Sequence, residues 1–280
     1  MKKFLSIFLS CLLLFSGCSE KSSYHPERRK SLEKLVKYFQ VYDAQDQKGP
    51  LVLKRIGRDY DGGYVVAEKS LKSADVLLGY GIADDISFEE AFCTLYKKPA
   101  YGFDGGVENV TSKNKLFTFF RESISSDKFL YGNQTSSGKV STFGQQISRL
   151  KLQDKKVFVK MDIEGAEYDA FADILPHHAH ITGIVLELHF KSLESLKRAI
   201  ELLTNLDKHF LLIRIHGNNA CGSRFSTKGM SGKIPYMVEL TYINKNLVTK
   251  FELSKNQKHP QDLDMPNIPS RPDVAFEIKS

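Results

Sequence analysis

The feature that most constrains this chain is the alternation of short apolar runs with helical segments between Asp75 and Ile243. Val76-Leu77-Leu78 reads as a buried strand, and Ser87 to Leu95 as a helix with Phe88, Ala91, Phe92 and Leu95 on one face. Ala100 to Phe103 reads as a second strand, Lys115 to Phe120 as a third and Val157 to Met161 as a fourth, with a helix between Val140 and Lys151. Ala166 to Ile174 is a helix closed by Pro176, followed by a fifth strand over Ile181 to Leu188. A helix over Leu193 to Leu206 and a sixth strand over Phe210 to Ile215 complete the alternation. Such a pattern gives an α/β fold with a mainly parallel sheet covered on both faces. Tyr236 to Ile243 is a seventh strand with no room for a helix before it, so it enters the sheet antiparallel to its neighbour.

The chain has 280 residues, 41% of them hydrophobic, enough for one well-buried domain, expected over residues 31–280. Within it, Ser31 to Gln40 is amphipathic through Leu32, Leu35, Val36 and Phe39. Leu51-Val52-Leu53 and Tyr64-Val65-Val66 read as short strands around the turn at Asp59-Tyr60-Asp61-Gly62-Gly63. The proline-marked tail (Pro266, Pro269, Pro272) is expected to wrap the surface without regular structure. The other end carries Lys2 and Lys3, an apolar run from Phe4 to Phe15 too short for a comfortable membrane span, then Ser16-Gly17-Cys18. Residues 1–17 thus read as an export signal, and Leu14 to Cys18 resembles the bacterial lipobox, which implies lipidation of Cys18. Residues 18–30 read as lipid attachment and polar tether. The expected location is the periplasmic or cell-surface side of a membrane, with the bilayer as a partner through the anchor.

Cysteine and charge exclude other classes. Cys11 falls in the signal, leaving Cys93 and Cys221, whose pairing sequence cannot decide; Cys93 is expected as a buried free thiol. No Cys or His spacing indicates a zinc site, and none is assigned. The formal charge of +7 is spread along the chain with no basic stripe interleaved with aromatics, so no nucleic-acid partner is expected.

Ligands of open α/β sheets bind beyond the carboxyl ends of the strands, and this chain is rich in polar residues there. Gly79-Tyr80-Gly81-Ile82 follows the first strand, where missing Cβ atoms let backbone approach a nucleoside. The third glycine of a dinucleotide fingerprint is replaced by Asp84, and Asp84 and Asp85 would repel a pyrophosphate, which argues against a dinucleotide cofactor. Asp104 ends the next strand, in the position of a ribose-binding acid or of a turn-forming Asp before Gly105-Gly106. The strongest motif is Lys160-Met161-Asp162-Ile163-Glu164-Gly165-Ala166-Glu167. A strand delivers Asp162 to the sheet edge, and Glu164 and Glu167 crowd the helix start beyond what capping explains.

Lys160 to Glu167 resembles the signature of the FkbM-like methyltransferases. Asp59 to Tyr64, Gly79 to Glu89, Tyr101 to Asp104, Leu186 to His189, His216 to Asn219 and Val238 to Tyr242 continue the likeness in order, over roughly residues 50–275. The first motif lacks the acid that usually precedes its glycines. The resemblance implies a class I methyltransferase, Rossmann-like, with a seven-stranded mostly parallel sheet and an antiparallel last strand. It further implies bound S-adenosylmethionine and methyl transfer to a hydroxyl of a small-molecule or glycan acceptor. On that reading Gly79, Tyr80, Gly81, Ile82, Asp104 and Asp162 hold the cofactor. Asp162 and Glu164 flank the transfer site, and His189 or His216 is the base. A metal-assisted variant would need Asp162, Glu187, His189 and His216 to converge on one ion. Because the cofactor is made in the cytoplasm, the competing reading is an exported domain that kept the fold, lost the reaction and binds a glycan or nucleoside.

Overall fold

The computed structural model describes residues 26–125 and 139–279. The export signal, Cys11, Cys18 and the first part of the expected tether lie outside the described residues. Among the described residues no helix is long and apolar enough to cross a membrane.

Seven strands form the central sheet: β1 (Val76–Tyr80), β2 (Ala100–Phe103), β3 (Phe117–Phe120), β4 (Val157–Met161), β5 (Ile181–His189), β6 (Phe210–Gly217) and β7 (Met237–Asn244). Their spatial order is β3-β2-β1-β4-β5-β7-β6. All neighbours run parallel except those of β7, which is antiparallel to both β5 and β6. Every residue of β1, β4 and β6 is buried. A sheet covered on both faces needs such continuous apolar runs. The last strand inserts between two strands already joined by a helix, which a reversed strand can do without a crossover of its own.

The covering helices are α1 (Pro26–Val36), α2 (Glu68–Ser73), α3 (Ser87–Tyr96), α4 (Phe143–Arg149), α5 (Glu167–Ile174) and α6 (Leu193–His209). Ser192 and Ser195 form a capping box at the start of α6, whose Leu196, Ala199, Leu203 and Leu206 are buried. Leu32, Leu35 and Val36 of α1 join α6 in the main core. The amphipathic segment starts earlier than its apolar spacing indicates: residues 26–30, read as tether, are the first turns of α1. Pro26 suits a first helical turn, and Glu27 pairs with Lys197 at 2.6 Å while Arg28 donates to the Lys191 carbonyl. A solvent-facing helical turn and a tether have the same polar composition.

Leu53–Ile56 and Tyr64–Ala67 form an antiparallel pair around the turn; the second strand lies where it was read, whereas the first begins at Leu53, the last residue of the apolar run taken for it. The carboxyl-terminal tail departs from its reading. Val274, Phe276 and Ile278 are buried, and Phe276–Ile278 pairs with Met230–Gly232 and Lys258–His259. Tail side chains also reach inward to the sheet. Asn267 donates to Glu239, Asp273 meets His216, and Asp264 accepts from Arg214. Cys93 and Cys221 are both buried free thiols.

Candidate functional site

The chain leaves β1 to build β2 and β3 on one side, then returns to build β4 on the other. The carboxyl ends of β1 and β4 therefore border the switch point where open α/β sheets bind ligands. A cavity of about 330 Å³ opens there, lined among others by Gly81, Phe103, Asp104, Glu122, Asp162 and Glu164. A larger, shallow depression of about 520 Å³ lies between α1 and α6 around Lys34 and Lys197, and none of the sheet-edge acids lines it.

The rim is held by backbone. Gly81 N–H donates to the Phe103 carbonyl at 3.0 Å, and Asp162 N–H to the Tyr80 carbonyl at 3.1 Å. Gly81 has φ +73°, and a Cβ on it would lie 1.5 Å from the Asp162 carbonyl oxygen. Asp104 accepts the Ala83 N–H at 2.9 Å on one carboxylate oxygen and the Gly106 N–H at 2.8 Å on the other. Each oxygen retains a lone pair for a ligand. Ala83 (φ 48°) and Glu164 (φ 55°) are left-handed without being glycine, so the rim stores strain of the kind that concentrates at functional sites. Below, the Tyr80, Phe103 and Phe120 rings stack in sequence at 5.1 and 5.2 Å. The Tyr80 hydroxyl donates to Gln146, which donates to Glu122, and Arg149 pairs with Glu122 at 2.8 Å.

Beside the cavity, four carboxyl groups surround one imidazole. His189 Nδ1 meets Glu167 Oε1 at 2.9 Å, while its Nε2 faces Glu164 Oε2 at 3.4 Å and Glu187 Oε1 at 3.5 Å. The Tyr168 hydroxyl donates to the His189 carbonyl and fixes the end of β5. Burial pushes the Asp162 carboxyl up to about 6, with Lys160 and His189 opposing and Glu164 and Glu167 adding to the rise. Burial raises Glu187 well above the usual carboxylate range, helped by the charges of Asp162 and Glu239. For His189, burial disfavours the cation, but the hydrogen bond to Glu167 and the surrounding negative charge outweigh it and raise the ring.

The structure thus brings Tyr80, Gly81, Asp104, Asp162 and Glu164 to one cavity, with His189 immediately behind the acids. Other expected members lie elsewhere. A Cβ on Gly79 would meet Glu89 Oε1 at 2.2 Å, so its missing side chain makes room for a buried acid. Ile82 is buried, its Cδ1 packed where side chains on Gly79 and Gly102 would go. His216 does not serve as a free base: Nδ1 contacts Glu239 at 3.1 Å and Nε2 contacts Asp273 at 3.0 Å, which also removes it from the four-ligand metal set. The motif reading missed Glu89, fully buried with neither carboxylate oxygen hydrogen-bonded, and Glu122, which belongs to a three-residue strand with no motif of its own. The helix buries Phe88, Glu89, Phe92 and Cys93 and leaves Leu95 exposed, so its inner face is turned from the one the apolar spacing indicated and takes in Glu89, which that spacing did not mark.

Glu164 supplies a direct test of rim strain. Its side chain is 78% exposed, so Glu164→Gly removes a left-handed non-glycine residue without opening the core. The relief of about 1–2 kcal/mol offsets the added freedom of glycine in the unfolded chain, about 0.5–1 kcal/mol. Thermal unfolding should show an unchanged or higher Tm; a drop of several degrees would mean that the carboxylate itself holds the loop. No family model matches the sequence, and comparison with curated proteins gives no significant match.

Proposed function

We propose that this chain is a class I methyltransferase that uses S-adenosylmethionine to methylate a hydroxyl of a glycan or small metabolite. The observation that carries this reading is the meeting of Gly81, Asp104 and Asp162, from three separate parts of the chain, around one cavity at the switch point. The mostly parallel seven-stranded sheet with a reversed seventh strand is consistent with the architecture that the motif resemblance implies. The cavity volume lies in the range of about 300–1,000 Å³ found for small-molecule sites. An acidic rim tolerates a sulfonium and disfavours phosphates.

The residues present fit the cofactor. Gly81 offers a backbone cradle that a Cβ would fill, Asp104 has lone pairs for ribose hydroxyls, and Asp162 Oδ1 is buried without a hydrogen-bond partner. When bound, the cofactor supplies an electrophilic methyl group. Asp162 and Glu164 orient the acceptor hydroxyl. His189 Nε2, buried just behind Asp162 and Glu164 without a hydrogen bond, is the base for its proton, while Glu167 holds Nδ1 and so fixes the ring. The amino-terminal signal read from the sequence belongs to the same proposal, with the domain exported and anchored through Cys18.

Calorimetry of the full-length protein with S-adenosylmethionine tests the reading. Micromolar binding is expected, weakened at least about 10-fold by Asp104→Ala through loss of charge-assisted hydrogen bonds of about 1.5–3 kcal/mol. The same substitution frees the Ala83 and Gly106 amides, so its folding is checked by urea unfolding before the titration. Unchanged affinity removes Asp104 from the site. No heat from the parent protein returns the chain to a non-catalytic domain that binds a glycan or nucleoside.

A further inference from the structure

We propose that Asp162, Glu164 and His189 form a binding site for one divalent first-row cation, of the Mn²⁺ or Zn²⁺ class, at the edge of the cavity. One ligand atom from each of the three lies within 4.8 Å of the others. Crowded acids alone would not make such a site; the imidazole does. Glu167, whose side chain has no exposed surface, occupies His189 Nδ1, and this directs Nε2 toward Glu164. A carboxylate on the far nitrogen is the usual support of a metal-bound histidine.

Two atoms point to a missing partner. His189 Nε2 and Asp162 Oδ1 are buried, and neither makes a hydrogen bond. Buried polar atoms in folded proteins are ordinarily satisfied, so a pair of orphans on one cluster calls for a ligand. A tetrahedral ion with bonds of about 2.1 Å has ligand-to-ligand edges of about 3.4 Å. The Nε2 to Glu164 Oε2 separation is 3.4 Å, and Glu187 Oε1 stands 3.5 Å from the same nitrogen. A cation would also neutralise the mutual repulsion of Asp162, Glu164, Glu167 and Glu187, which the single imidazole does only in part. One imidazole with carboxylates suits Mn²⁺ or Zn²⁺ better than Mg²⁺, which retains its water and prefers oxygen.

The cation site stands whether or not the cavity takes an adenosyl cofactor. An ion on His189 Nε2 would take that atom from the base role proposed above and leave the acceptor's proton to a carboxylate of the cluster, and the test uses the metal alone. Titration of the full-length protein with MnCl₂, ZnCl₂ and MgCl₂ should give one tight Mn²⁺ or Zn²⁺ per chain and far weaker Mg²⁺. Glu164→Gln, on an exposed side chain, should keep the Tm and weaken binding about 10- to 100-fold. His189→Ala should abolish it, and Glu167→Gln should weaken it by a similar factor through loss of ring orientation. Absence of stoichiometric binding overturns the proposal. So does unchanged affinity in Glu164→Gln, whatever His189→Ala does, because the metal would then sit elsewhere.

Discussion

Gly81→Ala is expected to destabilise the folded chain by about 3–5 kcal/mol, among the larger effects of any single substitution. Two costs combine at this position. Its φ of +73° charges an L-residue about 1–2 kcal/mol. The new Cβ would also lie 1.5 Å from the oxygen and 2.6 Å from the carbon of the Asp162 carbonyl, and these are backbone atoms that cannot swing away. The ends of β1 and β4 would have to part, loosening the Asp162-to-Tyr80 and Gly81-to-Phe103 hydrogen bonds at about 1 kcal/mol each. Gly165→Ala separates the two causes. Its φ is +104° but nothing lies within 4 Å of the added carbon, so strain alone applies, at about 1–2 kcal/mol. Urea unfolding of both variants at constant m-value measures the difference. Equal losses would show that the close approach to Asp162 carries no energy.

The second large effect is on pH dependence, through two buried histidines of opposite character. His216 is held between Glu239 and Asp273; burial opposes its cation, but hydrogen bonds to Asp273 and Glu239 and the charges of Glu239 and Asp264 push it up to about 10. Its unfolded value is near 6.5, so the native chain keeps a proton that the unfolded chain loses. That contribution is complete below about pH 6.5 and disappears as pH rises through 10. His259 is the reverse: burial, then the charges of Arg214 and His216, bring it down to about 3. Its contribution is present above about pH 6.5 and is lost as pH falls toward 3. Taken by themselves these two groups make stability fall on either side of about pH 6.5. The raised Asp162, Glu187 and His189 add to the loss as pH rises, and the share of the alkaline limb that belongs to His216 is the share its substitution removes. His216→Leu should cost about 3–5 kcal/mol at neutral pH, because Glu239 and Asp273 lose a buried cationic partner, and it should flatten that limb. Unfolding midpoints from pH 5 to pH 9.5 check this. A parent stability that is level or rising above pH 7 would contradict the assigned proton.

The two regions differ in how much of them could be read in advance. The bounds of β2 and β4 follow from their mostly apolar runs, interrupted in β4 only by the buried Lys160, since a strand buried on both faces advertises itself in a few consecutive residues. Asp104 and Asp162 were legible for the same reason: each is the first polar residue after such a run. Their glycines were legible as special positions and misread in role. Gly79 accommodates Glu89, brought back over it by the following helix, and Gly81 accommodates the carbonyl of Asp162, just past the end of β4; neither approach is visible before the chain folds. His216 looked like a free strand-end base because its two carboxylates come from β7 and from the tail, 23 and 57 residues away.

The sequence by itself determined which segments form the central sheet and which acids stand at their ends, because burial on both faces is written in local hydrophobicity; the short tail strand carries no such signal. Only the tertiary structure decided which polar groups are consumed by one another and which remain open. That choice left Asp162 at a cavity with His189 behind it and closed His216 away, since the partner of a buried charge is selected by proximity in space rather than along the chain.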